Sequence, residues 1–188
     1  MKTYIIYLAA GNSKRFPDNK LLYRFGDKPL YRHTFDQLTY QLENIIVVTQ
    51  YREIQSYVMA YPGVSCVLSQ ECQKGLSYSI KKALEMLKDV PRPFEMIFVV
   101  ADQPYLTLAS IRRLIKAAHD NKVKLASLHS LKRPGNPTLF HSDYFDELMQ
   151  LKDDQGGRVI LKRHASQVFT VSVDDIELYD IDYFNDLK

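Results

Sequence analysis

The chain has 188 residues, 46% of them hydrophobic and 25% charged, with a formal net charge of +3. A chain of that length buries roughly 70% of its unfolded surface, so its core requires no disulfide or metal staple. Lys and Arg are spread along the chain rather than blocked into arms, which argues against a nucleic-acid surface, and no run approaches the ~18 apolar residues of a membrane span.

From the N-terminus, Lys2 and the short apolar stretch that follows imitate a signal peptide only faintly. The stretch runs into Gly11-Asn12-Ser13-Lys14-Arg15 rather than a cleavage site. The two cysteines, Cys66 and Cys72, match no zinc or redox spacing, and the five histidines are scattered without i,i+4 pairs. A reducing, cytoplasmic setting without a membrane partner is therefore expected.

Tyr4-Ile5-Ile6-Tyr7-Leu8, Ile45-Ile46-Val47-Val48 and Ile97-Phe98-Val99-Val100 are continuous apolar runs, as expected of strands buried on both faces of a parallel sheet. Helical periodicities lie between and after them. One joins Tyr31, Phe35, Leu38 and Leu42, a second Leu76, Ile80, Ala83, Leu84 and Leu87, and a third Leu108, Ile111, Leu114, Ile115 and Ala118. Pro29 suits the approach to the first helix, and Thr107 and Ser142 are expected N-caps of later ones. Beyond residue 123 the order is less regular: strands at 124–129 and 137–141, helices near 143–151 and 156–164, then a strand at 167–173. The alternation predicts an α/β, Rossmann-like three-layer αβα sandwich with a mostly parallel sheet, forming one domain over residues 1–188.

Ligands of such sheets sit beyond the carboxyl ends of the strands. After the first strand comes Leu8-Ala9-Ala10-Gly11-Asn12-Ser13-Lys14-Arg15-Phe16. Its small residues let backbone approach a ligand, its N–H groups can form an anion nest, Arg15 offers a fork for phosphate oxygens and Lys20 a compact positive charge. It is neither a dinucleotide fingerprint nor a P-loop, and it would also serve as a turn with solvated basic groups. After the third strand, Asp102 precedes Gln103-Pro104 at an apolar strand tip. A hard cation such as Mg²⁺ wants a carboxylate together with phosphate oxygens, although Asp102 also suits a turn. Asp180 and Asp182 are candidates for a second carboxylate and fall on opposite faces if extended.

These segments resemble the MobA-like nucleotidyltransferase family, most closely its molybdenum cofactor cytidylyltransferase branch. Residues 8–22 match L-A-A-G-x-S-x-R-F/M-G-x-x-K-L apart from Pro17 at the second glycine. Gly75-Leu76-Ser77-Tyr78-Ser79-Ile80, Asp102-Gln103-Pro104, Arg133-Pro134-Gly135-Asn136-Pro137, Asp154-Gln155-Gly156-Gly157-Arg158 and the tail from Asp180 follow in family order. Ala101 stands where glycine is frequent, and Tyr183-Phe184-Asn185 replace T-P-E.

The resemblance implies a Mg²⁺-dependent transfer of CMP from CTP to molybdopterin, with pyrophosphate leaving. Leu8, Ala9, Ala10, Gly11 and Ser79 would meet the nucleoside, and Ser13, Arg15 and Lys20 the phosphates. Lys20, Arg15 and Asp102 would carry catalysis. Asp102 with Asp180, or Asp182 as second choice, would hold the metal. Asn136, Asp154, Gly156 and Arg158 would face the acceptor. A molybdenum hydroxylase apoenzyme would be a further partner. The L-A-A-G segment also occurs in cytidylyltransferases and sugar-phosphate nucleotidyltransferases with other phosphorylated acceptors, and a non-catalytic cofactor-binding accessory protein is a third reading.

Overall fold

A computed structural model describes residues 1–11, 16 and 18–187. The first strand, β1 (Lys2–Ala9), pairs in parallel with β4 (Ile45–Thr49) on one side and β6 (Phe94–Val100) on the other. A small hairpin of β2 (Arg24–Phe25) and β3 (Lys28–Pro29) stands apart from the main sheet. With β5 (Val64–Leu68), β7 (Leu125–His129), β8 (Pro134–His141) and β9 (Val168–Ser172), the sheet has seven strands in the order β5-β4-β1-β6-β8-β7-β9. Only β8 is inverted within it, lying antiparallel to both β6 and β7.

The continuous apolar runs follow from burial on both faces. Ile5, Tyr7 and Ala9 point into one core, and Tyr4, Ile6 and Leu8 into the other. The first core receives α1 (Arg32–Gln41), α2 (Arg52–Val58) and α4 (Leu108–Asn121) through Phe35, Leu38, Ile54, Val58, Ile111 and Leu114. The second receives α3 (Leu76–Glu85), α5 (Phe145–Met149) and α6 (Arg158–Arg163) through Ile80, Leu84, Leu148 and Ile160. The architecture is the expected three-layer αβα sandwich with a mostly parallel sheet. Each fully buried aliphatic side chain contributes ~1.5–3 kcal/mol, so the two cores hold the sheet rigid beneath its ligand edge.

Thr107 caps α4 as its position suggests, its Oγ1 accepting from the Ser110 amide at 3.2 Å. Ser142 does not cap a helix. Its buried hydroxyl accepts from the Phe94 amide at 3.3 Å, across to the start of β6, and α5 begins three residues later with Tyr144 at the cap position. Pro29 pairs with Arg24 in the hairpin, and α1 starts at Arg32.

Candidate active site

The carboxyl ends of β1 and β6 open into a cleft of about 430 Å³. Leu8, Ala10, Gly11, Lys20, Ser79 and Asp102 line it, with Asp154 and Asp182 at its margin. Residues far apart in the sequence thus converge on one hollow. Ser13 and Arg15, expected at the phosphates, lie outside the described residues.

The floor is tied to the sheet on both sides. Toward β6, the Ala101 amide donates to the Leu8 carbonyl at 3.1 Å. Toward β4, Thr49 Oγ1 donates to the Ala9 carbonyl at 2.8 Å, Gln50 Nε2 to Ala10 at 2.8 Å and Tyr51 Oη to Gly11 at 2.7 Å. Sequence reasoning missed these three residues. Their pattern was visible only as polar side chains following an apolar strand, and the partners emerge from the β1–β4 register, which sets Thr49 opposite Ala9.

At the phosphate end, Lys20 sits in a short 3₁₀ turn capped by Asn19, with 8% of its surface exposed. Its Nζ lies 2.7 Å from Asp102 Oδ2, 2.8 Å from the Ile181 carbonyl and 3.6 Å from Asp182 Oδ1. A buried ammonium persists only when paired and hydrogen-bonded, and this one has both kinds of partner. The Ile181 amide donates in turn to the Asp102 carbonyl at 2.9 Å, anchoring the C-terminal segment at the tip of β6. Phe16, Tyr23 and Phe184 add an aromatic cluster, with ring centroids 5.4–6.1 Å apart, between the loop's far end and that segment.

Asp180 and Asp182 face different hollows. Asp182 lines the cleft, whereas Asp180 turns into an adjacent recess of about 160 Å³. There it accepts from Gln103 Nε2 at 2.9 Å and lies 3.8 Å from Arg133. Burial, reinforced by the charge of Asp102, pushes the Asp180 carboxyl up to about 6, against the opposing pull of Gln103 and Arg133. Asp182, rather than Asp180, is thus the carboxylate that shares the Lys20 ammonium with Asp102.

The recess collects part of the expected acceptor set. Asn136 and Arg158 line it together with Ser127, Arg133 and Thr138. Asp154 instead borders the cleft, and Gly156 packs under α3, where a β-carbon would come within 2.6 Å of Leu76 Cδ2. Among the described residues, no three His, Cys, Asp or Glu side chains form a cage for a metal ion. A pair of carboxylates around one ammonium remains, which suits an ion that takes one or two carboxylates and completes its shell with substrate phosphates and water.

The MobA-like NTP transferase domain matches residues 5–168. The chain belongs to that family. Within sequence relatives, it is 32% identical over 121 residues to the bifunctional protein GlmU of Dechloromonas aromatica, covering 62% of this chain and 26% of GlmU. The chain thus spans about a quarter of that relative. It is 29% identical over 119 residues to a probable molybdenum cofactor guanylyltransferase of Thermococcus sibiricus, covering 62% of this chain and 56% of the relative. The purine catabolism protein PucB of Bacillus subtilis is 24% identical over 188 residues, with coverage of 94% and 90%. Among solved structures, Rv0371c of Mycobacterium tuberculosis in complex with manganese superposes with a TM-score of 0.78 at 22% identity, over 99% of this chain and 96% of that one. This MobA-like domain has the fold of nucleotide-diphospho-sugar transferases. Among the described residues, no helix is long and apolar enough to cross a membrane.

Proposed function

We propose that this MobA-like protein transfers CMP from CTP to the terminal phosphate of molybdopterin, releasing pyrophosphate in a Mg²⁺-dependent reaction. The observation that carries the reading is the convergence of Lys20, Asp102 and Asp182 at the mouth of the cleft floored by Ala10 and Gly11. Phosphoryl-type transfer needs no protein nucleophile: positioning and charge neutralisation suffice.

On this reading the nucleoside lies along Leu8, Ala9, Ala10, Gly11 and Ser79. Ser13 and Arg15 take the triphosphate, following their place in the family motif. An acceptor phosphate oxygen forms a new bond to the α-phosphorus as the bond to the β-phosphate oxygen breaks, and the electron pair leaves with pyrophosphate. Lys20, held at Asp102, carries positive charge to the oxygens where negative charge develops. Bound Mg²⁺, held by Asp102 and Asp182, would supply Lewis-acid neutralisation of the phosphates. The recess of Asn136, Arg133 and Arg158 offers hydrogen-bonding and cationic groups to the acceptor, next to the reacting end rather than behind it. The product would be delivered to a molybdenum hydroxylase apoenzyme in the cytoplasm.

The L-A-A-G segment supports cytosine, while the guanylyltransferase relative supports guanine. Incubation with CTP or GTP labelled at the α-phosphate, with Mg²⁺ and molybdopterin, decides between them. Label should pass from CTP to a dinucleotide product faster than from GTP. A preference for GTP overturns the base assignment and leaves the transfer intact. Nucleotide binding without turnover, over a panel of phosphorylated acceptors, overturns the catalytic reading in favour of an accessory protein.

A further inference from the structure

Three consecutive carbonyls, those of Ala9 and of the cleft-lining Ala10 and Gly11, are each gripped by one of three consecutive side chains from the end of β4. The first of these contacts continues the strand register. The next two lie beyond the paired strands, where the cleft begins, and belong to the side chains of Gln50 and Tyr51. Gln50 is almost fully buried, and its main-chain carbonyl accepts from Gln70 Nε2 at 2.9 Å, which holds the backbone from which the donor extends. Tyr51 is held at its main chain, its amide donating to Thr49 Oγ1 at 3.1 Å, and its ring reaches back to Gly11. Burial pushes the Tyr51 phenol up, so it keeps its proton and remains a donor at neutral pH.

We propose that Gln50 and Tyr51 are positioning residues that set nucleotide affinity by fixing the peptide planes on the cleft floor. The inference rests on the nucleotidyltransferase reading above. A peptide unit is planar, with N–H and C=O pointing in opposite directions. Gripping the Ala10 carbonyl from the β4 side therefore also fixes the direction of the Gly11 N–H, and the bond to the Gly11 carbonyl holds the far side of that residue. A floor of small residues has few side-chain atoms with which to recognise a nucleotide, so the orientation of its backbone groups determines what it can offer. Gly11 fits this role: among the described residues, a β-carbon built there meets nothing within 4 Å. Neither Gln50 nor Tyr51 needs to touch the reacting phosphorus, and their effect belongs to binding rather than to the chemical step.

Tyr51→Phe removes one hydroxyl and leaves the ring. With CTP varied at saturating molybdopterin, KM for CTP should rise about 3–10-fold, the loss of one hydrogen bond of ordinary net strength, while kcat stays within about twofold. KM for molybdopterin should not move, and the melting temperature should fall by no more than about 5 °C. Gln50→Leu should act in the same direction and more strongly, since it leaves the buried Ala10 carbonyl without its side-chain donor, and calorimetric titration with CTP should show the weakened affinity directly. An active wild type whose Tyr51→Phe form has an unchanged KM for CTP, or loses kcat alone, overturns this inference and leaves the proposed function standing. A wild type that neither binds nor turns over CTP or GTP overturns the proposed function, and this inference with it.

Discussion

Ile181 is bonded to Asp102 through their main chains, amide to carbonyl at 2.9 Å, and Lys20 closes the triangle by donating to the Ile181 carbonyl and to the Asp102 carboxylate. A residue near the end of the chain thus holds the strand tip and the lysine together. The three segments meeting there, from near residues 20, 102 and 181, have no local reason to meet; the sheet order brings them to one edge.

Asp102→Asn should lower kcat by at least about 10²-fold, the scale of losing one preorganised charge contact, and should also lower the melting temperature, since it removes the 2.7 Å ion pair of the buried Lys20 ammonium. Lys20→Ala should lower kcat more than it raises KM for the nucleotide, whereas Arg15→Ala should mainly raise KM. Steady-state kinetics on the three variants check this. Equal increases in KM for both basic residues would reduce Lys20 to an anchoring charge.

Two glycines in the cleft wall should respond oppositely to alanine. At Gly11 the new methyl meets no atom of the described residues, so Gly11→Ala should leave stability within about 0.5 kcal/mol while lowering kcat/KM for the nucleotide by about 10-fold or more. At Gly75, φ is +143° and a β-carbon would fall 2.4 Å from the Asp153 carbonyl oxygen. Gly75→Ala should cost about 2 kcal/mol or more, or roughly 4–8 °C in Tm. Thermal melts beside kinetics separate the two cases.

Asp180 makes stability depend on pH in a defined direction. Its folded carboxyl is raised to about 6 from an ordinary value of 3.8, so the folded state holds the proton more tightly than the unfolded one. The resulting stability is present below about pH 4, is lost as pH rises through about 6, and stays absent above. Asp180→Asn should therefore melt at a higher temperature than the wild type at about pH 7.5 and lose that advantage at about pH 4. With 36% of the side chain exposed, solvent screening limits the gain to roughly 1 kcal/mol. A difference independent of pH would remove Asp180 as its source.

The sequence shows the centre of this fold and hides its margins. The β1, β4 and β6 runs are legible because both faces are buried, so every residue is apolar. The β5 strand, with Ser65 and Cys66 on a half-exposed sheet edge, has no such run, and α2 buries only Ile54 and Val58, too few to show a period. The L-A-A-G loop, Lys20 and Asp102 are legible because their chemistry is compact in sequence. The choice between Asp180 and Asp182 is not, because alternation says that they diverge without saying which hollow each enters. Thr49, Gln50 and Tyr51 acquire meaning only from the strand beside them.

The inverted β8 has a consequence for how the molecule can vary. Because it runs against β6 and β7, its beginning, at Pro134, Gly135 and Asn136, arrives at the same rim where those two strands end. One hollow is built chiefly from the first hundred residues and the other chiefly from those after Asp102, with Asp102 and Gln103 as adjacent boundary posts. Spatial neighbours thus remain separable along the chain. Substitutions that reshape the second recess leave the first cleft's strands, floor and bracing untouched, so the two halves can drift at different rates while sharing a single edge of sheet.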